Sequence, residues 1–537
     1  MSGRTETKPR GSGFVGGQRI GGSLPKFGMP SDELQHVKSG AQQSRLSSLS
    51  SHLAFAGCIT ATAFIRWRLD REAAYPTGLD GGNWLAFGHA IFGEHIRASS
   101  LVYPPLIPVI TVASERLFGT YGGVQAVAYG AGAAPALGAY VLLYNWGLQW
   151  RAAVLAGFLA ASAGTGEAMA WGGYPQLVGL GILPLFILAL DKFLTSQSLQ
   201  TAIAPALLLL LALATSDFVG LFTLLVGFIY LVTRFWLLAR TRKGNSVRNV
   251  LLGFGATVAL ALPMAPTYYA LAAGTATNEL VKLGARTSGT ALDAFNGVIK
   301  DFSAFWLAAF VVAFLAPVLL LMGRDRLPLL SGAILVPSAA LLAIGGENRI
   351  AYLVPLGIVV GLGAWLELLW KLPDWARPSL HAALVICLAI DVLFGTLYYA
   401  SQLEYYKVLD PNVVQGLARL SAVSGPNQVI AVSPAPNDWE LGWWVEGAAH
   451  RRSIYAGNPI WLSFSDEKTR NAIANNIFAP QNDVDQSRAE ARLAGATYLF
   501  VAKDWSGYQS WVTNGGGIDP TAIVYQNDGV LIIETGA

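Results

Sequence analysis

The sequence contains little charge. Asp, Glu, Lys and Arg make up 13% of its 537 residues, against about 25% in ordinary soluble domains. The mean hydropathy is +0.45, which predicts that most of the chain lies in lipid. Apolar runs of about 20 residues exceed the length of a barrel strand and suit helices. The composition therefore excludes a soluble globular protein and indicates a helical multi-pass protein of the cell (plasma) membrane, with the lipid bilayer as a partner.

Cysteines and the motifs of soluble enzymes are equally scarce. The two cysteines, Cys58 and Cys387, both lie within apolar runs, and we interpret them as small core residues. The sequence has no P-loop, no G-x-S-x-G and no Cys/His cluster at metal spacing, and its G-G-G at 515–517 lacks the setting of a dinucleotide fingerprint. The formal net charge of +3 argues against nucleic acid as a partner.

Composition divides the chain into three regions. Residues 1–50 are rich in Gly, Ser, Lys and Arg, which predicts a disordered basic tail in the cytoplasm. Residues 51–400 predict a multi-span membrane domain with long outer loops at 68–100 and 274–301. Residues 401–537 are more polar and predict a small extracytoplasmic α/β domain. Its strands are expected at 428–433, 496–502 and 522–534, with a turn at Asn527-Asp528-Gly529, and its helices near 411–423, 465–477 and 484–494.

Basic residues orient the predicted spans. The loop 234–248, the pair Arg324 and Arg326, and the pair Lys371 and Arg377 should all be cytoplasmic, and two spans separate each neighbouring pair of loops. The loop at Arg151 is then cytoplasmic as well. This orientation agrees with a cytoplasmic N-terminus only if the segment 101–118 does not cross completely. The fold class is therefore an α-helical polytopic membrane protein with about 11–12 spans and an outer C-terminal domain.

An isolated carboxylate follows the first apolar run. The stretch Y-P-T-G-L-D-G-G-N-W-L-A-F-G-H-A-I-F-G, residues 75–93, places Asp80 between glycines. The apolar residues after it have the spacing of a helix on the membrane surface. A partly desolvated aspartate can act as a general base, because burial raises the pKa of a carboxyl group. Alternatively, Asp80 is the N-cap of this helix.

This arrangement resembles the first outer loop of GT-C membrane glycosyltransferases, in particular lipid A aminoarabinose transferases and protein O-mannosyltransferases. The resemblance rests on Asp80 beyond the first span, Gly93 at the end of the surface helix, and Pro104-Pro105. The stretch W-G-G-Y-P-Q-L-V-G-L-G-I-L-P-L at 171–185 also looks like membrane proteins of this broad class. The resemblance implies a polyprenyl-phosphate sugar as donor, inversion at the sugar carbon, and an aspartate that acts as base or helps to hold a metal.

One position departs from the family pattern. Tyr103 stands where aminoarabinose transferases have a lysine directly before the double proline, so its contact with the lipid phosphate is open. The donor phosphate needs cations, and the outer side offers His95, Arg97, Lys282, Arg286 and Arg349. Arg349 begins a predicted span. There its guanidinium group can make two hydrogen bonds to a phosphate, or it can extend to the membrane interface as an anchor. Lys282 and Arg286 can equally belong to a solvated helix face.

Carboxylates within apolar runs are costly and therefore informative. Glu167 and Asp217 both fall on outer turns by the predicted topology. Together with Asp80 they could line one cavity and hold Mg²⁺ or Mn²⁺ at a phosphate. Each can instead be a helix cap or loop residue. Asp391 and Glu367 lie deeper within spans, where we expect partnered structural roles.

Tryptophans are frequent in the outer domain. The stretch N-D-W-E-L-G-W-W-V-E-G contains Trp443 and Trp444, whose ring faces could stack on an acceptor sugar. Core packing or a place in an interfacial aromatic belt is the alternative.

Three function hypotheses follow from these patterns. The leading one is a glycosyltransferase that moves a sugar from a polyprenyl phosphate to a hydroxyl of a glycan, lipid or protein acceptor of the cell envelope. The others are a transporter or flippase for lipid-linked glycans and a non-catalytic membrane assembly protein. The absence of visible inverted repeats counts against a transporter. Asp80 discriminates among the three hypotheses, because only a transferase should need it for turnover.

Overall fold

The computed structural model describes most of the chain beyond the first thirty residues. The described residues are 31–73, 78–93, 103–196, 198–239, 245–269, 304–322, 326–343, 352–459, 462, 464–514 and 518–536.

Helices dominate the part of the chain before residue 410. They are α1 Ser31–Ala73, α2 Gly81–Ile91, α3 Leu106–Phe118, α4 Thr120–Asn145, α5 Trp150–Ala161, α6 Ala163–Trp171, α7 Tyr174–Ser196, α8 Leu199–Thr215, α9 Asp217–Ala239, α10 Asn245–Ala261, α11 Ala304–Phe314, α12 Arg326–Ala343, α13 Val354–Leu369 and α14 Arg377–Tyr405. The C-terminal helices are α15 Pro411–Val423, α16 Gly442–Ala448, α17 Ser465–Ile477, α18 Val484–Leu493 and α19 Tyr508–Thr513.

Several of these helices can cross a membrane. Within the described residues, five are long and apolar enough, and the pair α5–α6, bent by 44°, makes a sixth. Shorter apolar helices add Gln200–Thr215, Ala308–Met322, Arg326–Leu341 and Val354–Leu369. Helix α3 has 13 residues, so it rises only about 20 Å against a hydrocarbon core of about 30 Å. That length agrees with the prediction that segment 101–118 does not cross completely.

A buried ion cluster joins the ends of three helices. The Asp191 carboxylate near the end of α7 accepts from Arg234 Nε at 3.1 Å and lies 3.4 Å from Arg326 Nε. The Tyr230 hydroxyl donates to the same carboxylate at 3.1 Å. Arg234 lies near the end of α9 and Arg326 begins α12. Arg234 and Arg326, from two of the regions that were predicted to share the cytoplasmic side, therefore lie on one side of the protein.

A second set of contacts joins α5, α13 and α14. The Arg151 guanidinium lies 4.7 Å from the centre of the Trp370 ring, and that of Arg377 lies 5.9 Å from it. Arg151 also donates to the Leu366 carbonyl at 3.4 Å. The loops at Arg151 and Arg377, which were predicted to be on the same side, meet here.

The first helix begins earlier than the predicted tail boundary. Residues 31–50 belong to α1, which continues without a break to Ala73. The tail was predicted to extend to residue 50 because its polar residues show no apolar period. The rest of the predicted tail, residues 1–30, lies outside the described residues.

Small residues bring the spanning helices together, as the G-x-x-x-G pattern indicates. A Cβ at Gly357 would lie 2.6 Å from a Leu335 methyl group, and one at Gly361 would lie 2.7 Å from Ala313 Cβ. These glycines therefore let α13 pack closely against α12 and α11.

The C-terminal region contains one five-stranded sheet. The strands are β1 Val429–Val432, β2 Arg452–Tyr455, β3 Ala496–Ala502, β4 Ile523–Gln526 and β5 Val530–Glu534, in the order β2-β1-β3-β5-β4. Strands β2, β1 and β3 are parallel, and β5 is antiparallel to β3 and β4. The Asn527 side chain accepts from the N–H groups of Gly529 and Val530 at 3.0 and 2.8 Å, which confirms the turn. The sequence did not predict β2, which has only four residues.

Loss of the Asp191 charge should destabilise the membrane domain. Asp191→Asn removes a negative charge that pairs with the buried Arg234, and breaking a buried ion pair costs about 3–5 kcal/mol. We expect a clearly lower thermal midpoint in detergent. The matched control is Asp374→Asn, because Asp374 pairs with Arg377 at 2.6 Å while its side chain is 88% exposed. Equal midpoints for the two variants would contradict this account.

Candidate active site

Asp80 stands at the first position before α2. Its backbone has φ −75° and ψ −6°, and its side chain makes no capping hydrogen bond to the helix. The backbone N–H of Asp80 donates to the Trp171 carbonyl at 3.0 Å. The carboxylate is half-buried. The capping alternative therefore does not account for this side chain, although the residue occupies the N-cap position.

The turn between α6 and α7 fixes the position of Asp80. The Trp84 indole N–H donates to the Gly172 carbonyl at 2.7 Å. Gly172 has φ +97°, and a Cβ there would lie 2.8 Å from Asp80 Cβ. A Cβ at Gly78 would lie 3.0 Å from the Tyr174 hydroxyl. The W-G-G-Y stretch, residues 171–174, thus lets the backbone of the turn between α6 and α7 approach the backbone at Asp80 closely.

Helix α2 is buried, so the prediction of a membrane-surface helix is wrong. Every residue from Gly81 to Ala90 is buried. The C-terminal domain covers the helix, because a Cβ at Gly82 would lie 2.7 Å from the Trp443 backbone and one at Gly447 would lie 2.3 Å from the Gly82 carbonyl. The apolar face that suggested lipid contact packs against protein instead, which local spacing does not reveal. Gly93 has φ +105° just after the helix end, the geometry that ends helices at glycine.

The two predicted acceptor-binding tryptophans pack against α2. Trp443 is 4% exposed and Trp444 is fully buried. The Trp443 indole N–H donates to the Tyr455 hydroxyl at 3.1 Å, and a Cβ at Gly81 would lie 2.8 Å from the Trp444 ring. The core-packing alternative describes these positions, and acceptor stacking stays a prediction.

Tyr103 belongs to the same aromatic group. Its ring centre lies 5.1 Å from that of Trp84 and 5.3 Å from that of Phe87. The residue is therefore held against α2 just before the double proline. Its contact with a lipid phosphate stays a prediction.

The C-terminal domain brings a buried carboxyl group to Asp80. Glu440 is 0% exposed, and neither of its carboxyl oxygens has a hydrogen-bond partner in another described residue. Burial raises the pKa of Glu440 well above its ordinary range, and the nearby carboxylates of Asp80, Glu467 and Asp438 raise it further. Burial therefore favours the neutral form of this carboxyl group. Sequence reasoning missed it, although a lone acid in W-E-L-G-W-W was a usable signal.

The predicted three-carboxylate metal site is not assembled. Glu167 accepts from the hydroxyl groups of Tyr398 and Tyr406, each at 3.4 Å. Asp217 Oδ1 accepts from the Phe218 N–H at 2.8 Å at the start of α9. Among the residues that the structure describes, one group of three His, Cys, Asp or Glu side chains lies close enough together to bind a metal. That group contains none of the three predicted carboxylates. Tyrosine hydroxyl groups therefore contact Glu167, and the first turn of α9 holds Asp217.

The predicted phosphate-binding cations lie outside the described residues. They are His95, Arg97, Lys282, Arg286 and Arg349. The loop 274–301 also lies outside them. Phosphate binding by these side chains stays a prediction.

A buried polar cluster at the end of α1 had no counterpart in the sequence predictions. Asp70 accepts from the hydroxyl groups of Tyr129 and Tyr399, the latter at 2.7 Å. The Arg66 guanidinium lies over the Tyr399 ring, 5.4 Å from its centre, and donates to Met169 Sδ. Asp391, expected to have a structural partner, accepts from the Trp306 indole N–H at 2.6 Å. These charges within the membrane domain are thus partnered.

The helical membrane domain and the small C-terminal sheet together form an ArnT-like fold. Two of the solved structures with this fold are similar over most of the chain. The crystal structure of ArnT from Cupriavidus metallidurans in the apo state has a TM-score of 0.56 and 15% identity, over 89% of this chain and 98% of that chain. The same protein bound to undecaprenyl phosphate has a TM-score of 0.52 and 15% identity, over 90% and 98%.

ArnT is a GT-C lipid A aminoarabinose transferase. At 15% identity the likeness shows the fold, and it confirms the fold that the first outer loop predicted. No protein-family model matches the sequence, and no curated protein matches it.

Replacing Gly172 should strain the turn beside Asp80. Gly172→Ala puts a side chain on a backbone with φ +97°, 2.8 Å from Asp80 Cβ, and such strain costs about 1–3 kcal/mol. We expect a lower thermal midpoint in detergent. Gly130→Ala is the control, since a Cβ there meets nothing within 4 Å and alanine favours a helix. An unchanged midpoint for Gly172→Ala would contradict the close approach.

Glu440 should make stability depend on pH. The folded pKa is raised, so between the ordinary glutamate pKa of about 4.3 and the folded value only the folded state binds the proton. Stability therefore falls as pH rises, by at most about 1.4 kcal/mol per pH unit for this one group. Glu440→Gln removes this loss, so its thermal midpoint should exceed that of the wild type more at pH 8 than at pH 5. Glu534→Gln, at an exposed glutamate, should not change with pH in this way.

Proposed function

We propose that the protein is a membrane glycosyltransferase that moves a sugar from a polyprenyl-phosphate donor to an acceptor hydroxyl on the outer face of the cell membrane. The single observation that carries the proposal is the position of Asp80. Its side chain stands at the start of a buried helix without capping it, close enough to Glu440 for its charge to raise the pKa of that buried carboxyl group. The GT-C fold and the undecaprenyl phosphate bound by ArnT support the donor class.

The proposed reaction is a single displacement at the sugar carbon. The acceptor oxygen bonds to the anomeric carbon while the bond from that carbon to the phosphate oxygen breaks. Asp80 takes the hydroxyl proton, and the electron pair of the broken bond leaves with the polyprenyl phosphate. The raised pKa of Glu440 favours its neutral form, which places no second full negative charge beside Asp80.

The departing phosphate needs positive charge. We assign this role to the cations that the sequence places on the outer side, namely His95, Arg97, Lys282, Arg286 and Arg349. A requirement for Mg²⁺ or Mn²⁺ stays a prediction. The proposal includes a cytoplasmic N-terminus and an extracytoplasmic C-terminal domain, because the donor sugar must face Asp80 on the outer side.

Removal of the Asp80 charge should stop turnover. Asp80→Asn keeps the shape of the side chain and loses its basicity, so we expect release of polyprenyl phosphate to fall at least about 100-fold. Purified protein is incubated with a panel of polyprenyl-phosphate sugars and acceptor lipids, and the released polyprenyl phosphate is quantified. Donor binding, measured by thermal shift, should persist in the variant.

The control is Asp485→Asn, which removes an exposed carboxylate on α18 and should leave release unchanged. Release that survives in Asp80→Asn would reject this residue as the base. A wild-type protein that releases nothing from any donor, yet moves a labelled polyprenyl-linked glycan across liposomes, would favour the transporter hypothesis.

A further inference from the structure

Three potential metal ligands meet where α2, α3 and the C-terminal domain come together. His89 lies on α2, Glu115 lies on α3, and His450 follows α16. One ligand atom from each lies within 4.8 Å of the other two. His89 Nε2 is 2.9 Å from Glu115 Oε2, and the ring centres of His89 and His450 are 4.4 Å apart. Residues from three separate parts of the sequence thus converge on one point.

Close helix packing determines where two of these side chains lie. A Cβ at Gly88 would lie 2.4 Å from the Pro108 carbonyl oxygen, so α2 and α3 touch directly beside His89. A Cβ at Gly123 would lie 2.5 Å from the Glu115 backbone nitrogen, so the start of α4 supports the end of α3. The contact between Gly447 and α2, described above, brings the nearby His450 to the same point.

The carboxylate and the second histidine are both held in position. Glu115 Oε1 accepts from the Thr120 hydroxyl at 2.8 Å, which leaves Oε2 directed at His89. The His89 and Glu115 side chains are 9% and 12% exposed. His450 adopts φ +54°, a left-handed conformation that non-glycine residues rarely use. The Arg451 guanidinium donates to the His450 carbonyl at 3.0 Å and helps to hold that conformation.

We propose that His89, Glu115 and His450 bind a zinc ion. Two imidazole nitrogens and one carboxylate oxygen form a common three-ligand set for tetrahedral Zn²⁺, with the fourth position left for water. Ligand atoms about 2.0–2.1 Å from the metal lie about 3.3 Å from one another, so small side-chain rotations suffice here. The Thr120 hydrogen bond orients the carboxylate in the way that outer partners orient metal ligands.

The zinc ion would join the C-terminal domain to the first outer helix. His89 follows Asp80 by nine positions, so the two lie about 13 Å apart along the axis of α2. The zinc site is therefore separate from the candidate base, and its existence does not depend on the proposed glycosyltransferase activity. Its role is to stabilise the domain contact that covers α2.

Metal content of the full-length protein tests the proposal. The affinity tag is removed, bound metal is stripped with a chelator, and Zn²⁺ is titrated against a competing dye in detergent, with elemental analysis after gel filtration. We expect one tightly bound zinc per chain, and none in His450→Ala. His52→Ala, at an exposed histidine on α1, is the control and should bind zinc like the wild type. Thr120→Val should bind about 10-fold more weakly.

A second measurement separates zinc binding from a folding defect. Co²⁺ in the stripped wild type should give the intense visible absorption of a tetrahedral site, and Glu115→Gln should lose it while eluting as a monodisperse protein. Zinc should also raise the thermal midpoint of the wild type and of His52→Ala but not that of His450→Ala. Equal zinc content in the wild type and His450→Ala, or no zinc in either, would overturn the proposal. In either case the three residues form a polar contact only.

Discussion

The structure depends on the burial of one short helix between two parts of the chain. Helix α2 carries Asp80 at its start and has no exposed residue from Gly81 to Ala90. Its backbone touches α16 on one side and α3 on the other, and each contact requires a glycine, at 82, 88 and 447. Because the packing involves backbone rather than flexible side chains, small displacements are costly. The candidate base therefore has a position fixed jointly by the membrane domain and the C-terminal domain.

Buried charge is treated differently in the two parts of the protein. In the membrane domain, Asp191 has two arginine partners and Asp70 accepts from two tyrosines. Each is compensated, as burial in a low dielectric requires. Glu440 has no such partner in another described residue, and burial raises its pKa instead. Two carboxyl groups whose environments shift their pKa values apart can divide acid and base roles between them.

Local patterns in the sequence predicted much of the fold. The helices Pro411–Val423 and Ser465–Ile477 match their predicted limits, and the Asp410 side chain caps the start of the first one. The hairpin at Asn527 was predictable from turn chemistry. The environment of α2 was not, because an apolar face has the same spacing whether lipid or protein covers it. Asp80 was found from its isolation among glycines, whereas Glu440, Asp70 and His450 acquire their surroundings only through contacts distant in sequence.

The glycine contacts between α2 and α16 have a consequence for how such proteins can be recombined. A chimera that exchanges the C-terminal domain alone would place a different protein surface against α2. The close backbone contacts of α2 leave no space for larger side chains on that surface. Only an exchange that carries residues 78–123 together with 401–537 preserves the matched pair. Residues 78–123 and the C-terminal domain therefore have to be inherited together, although residues 124–400 separate them in the sequence.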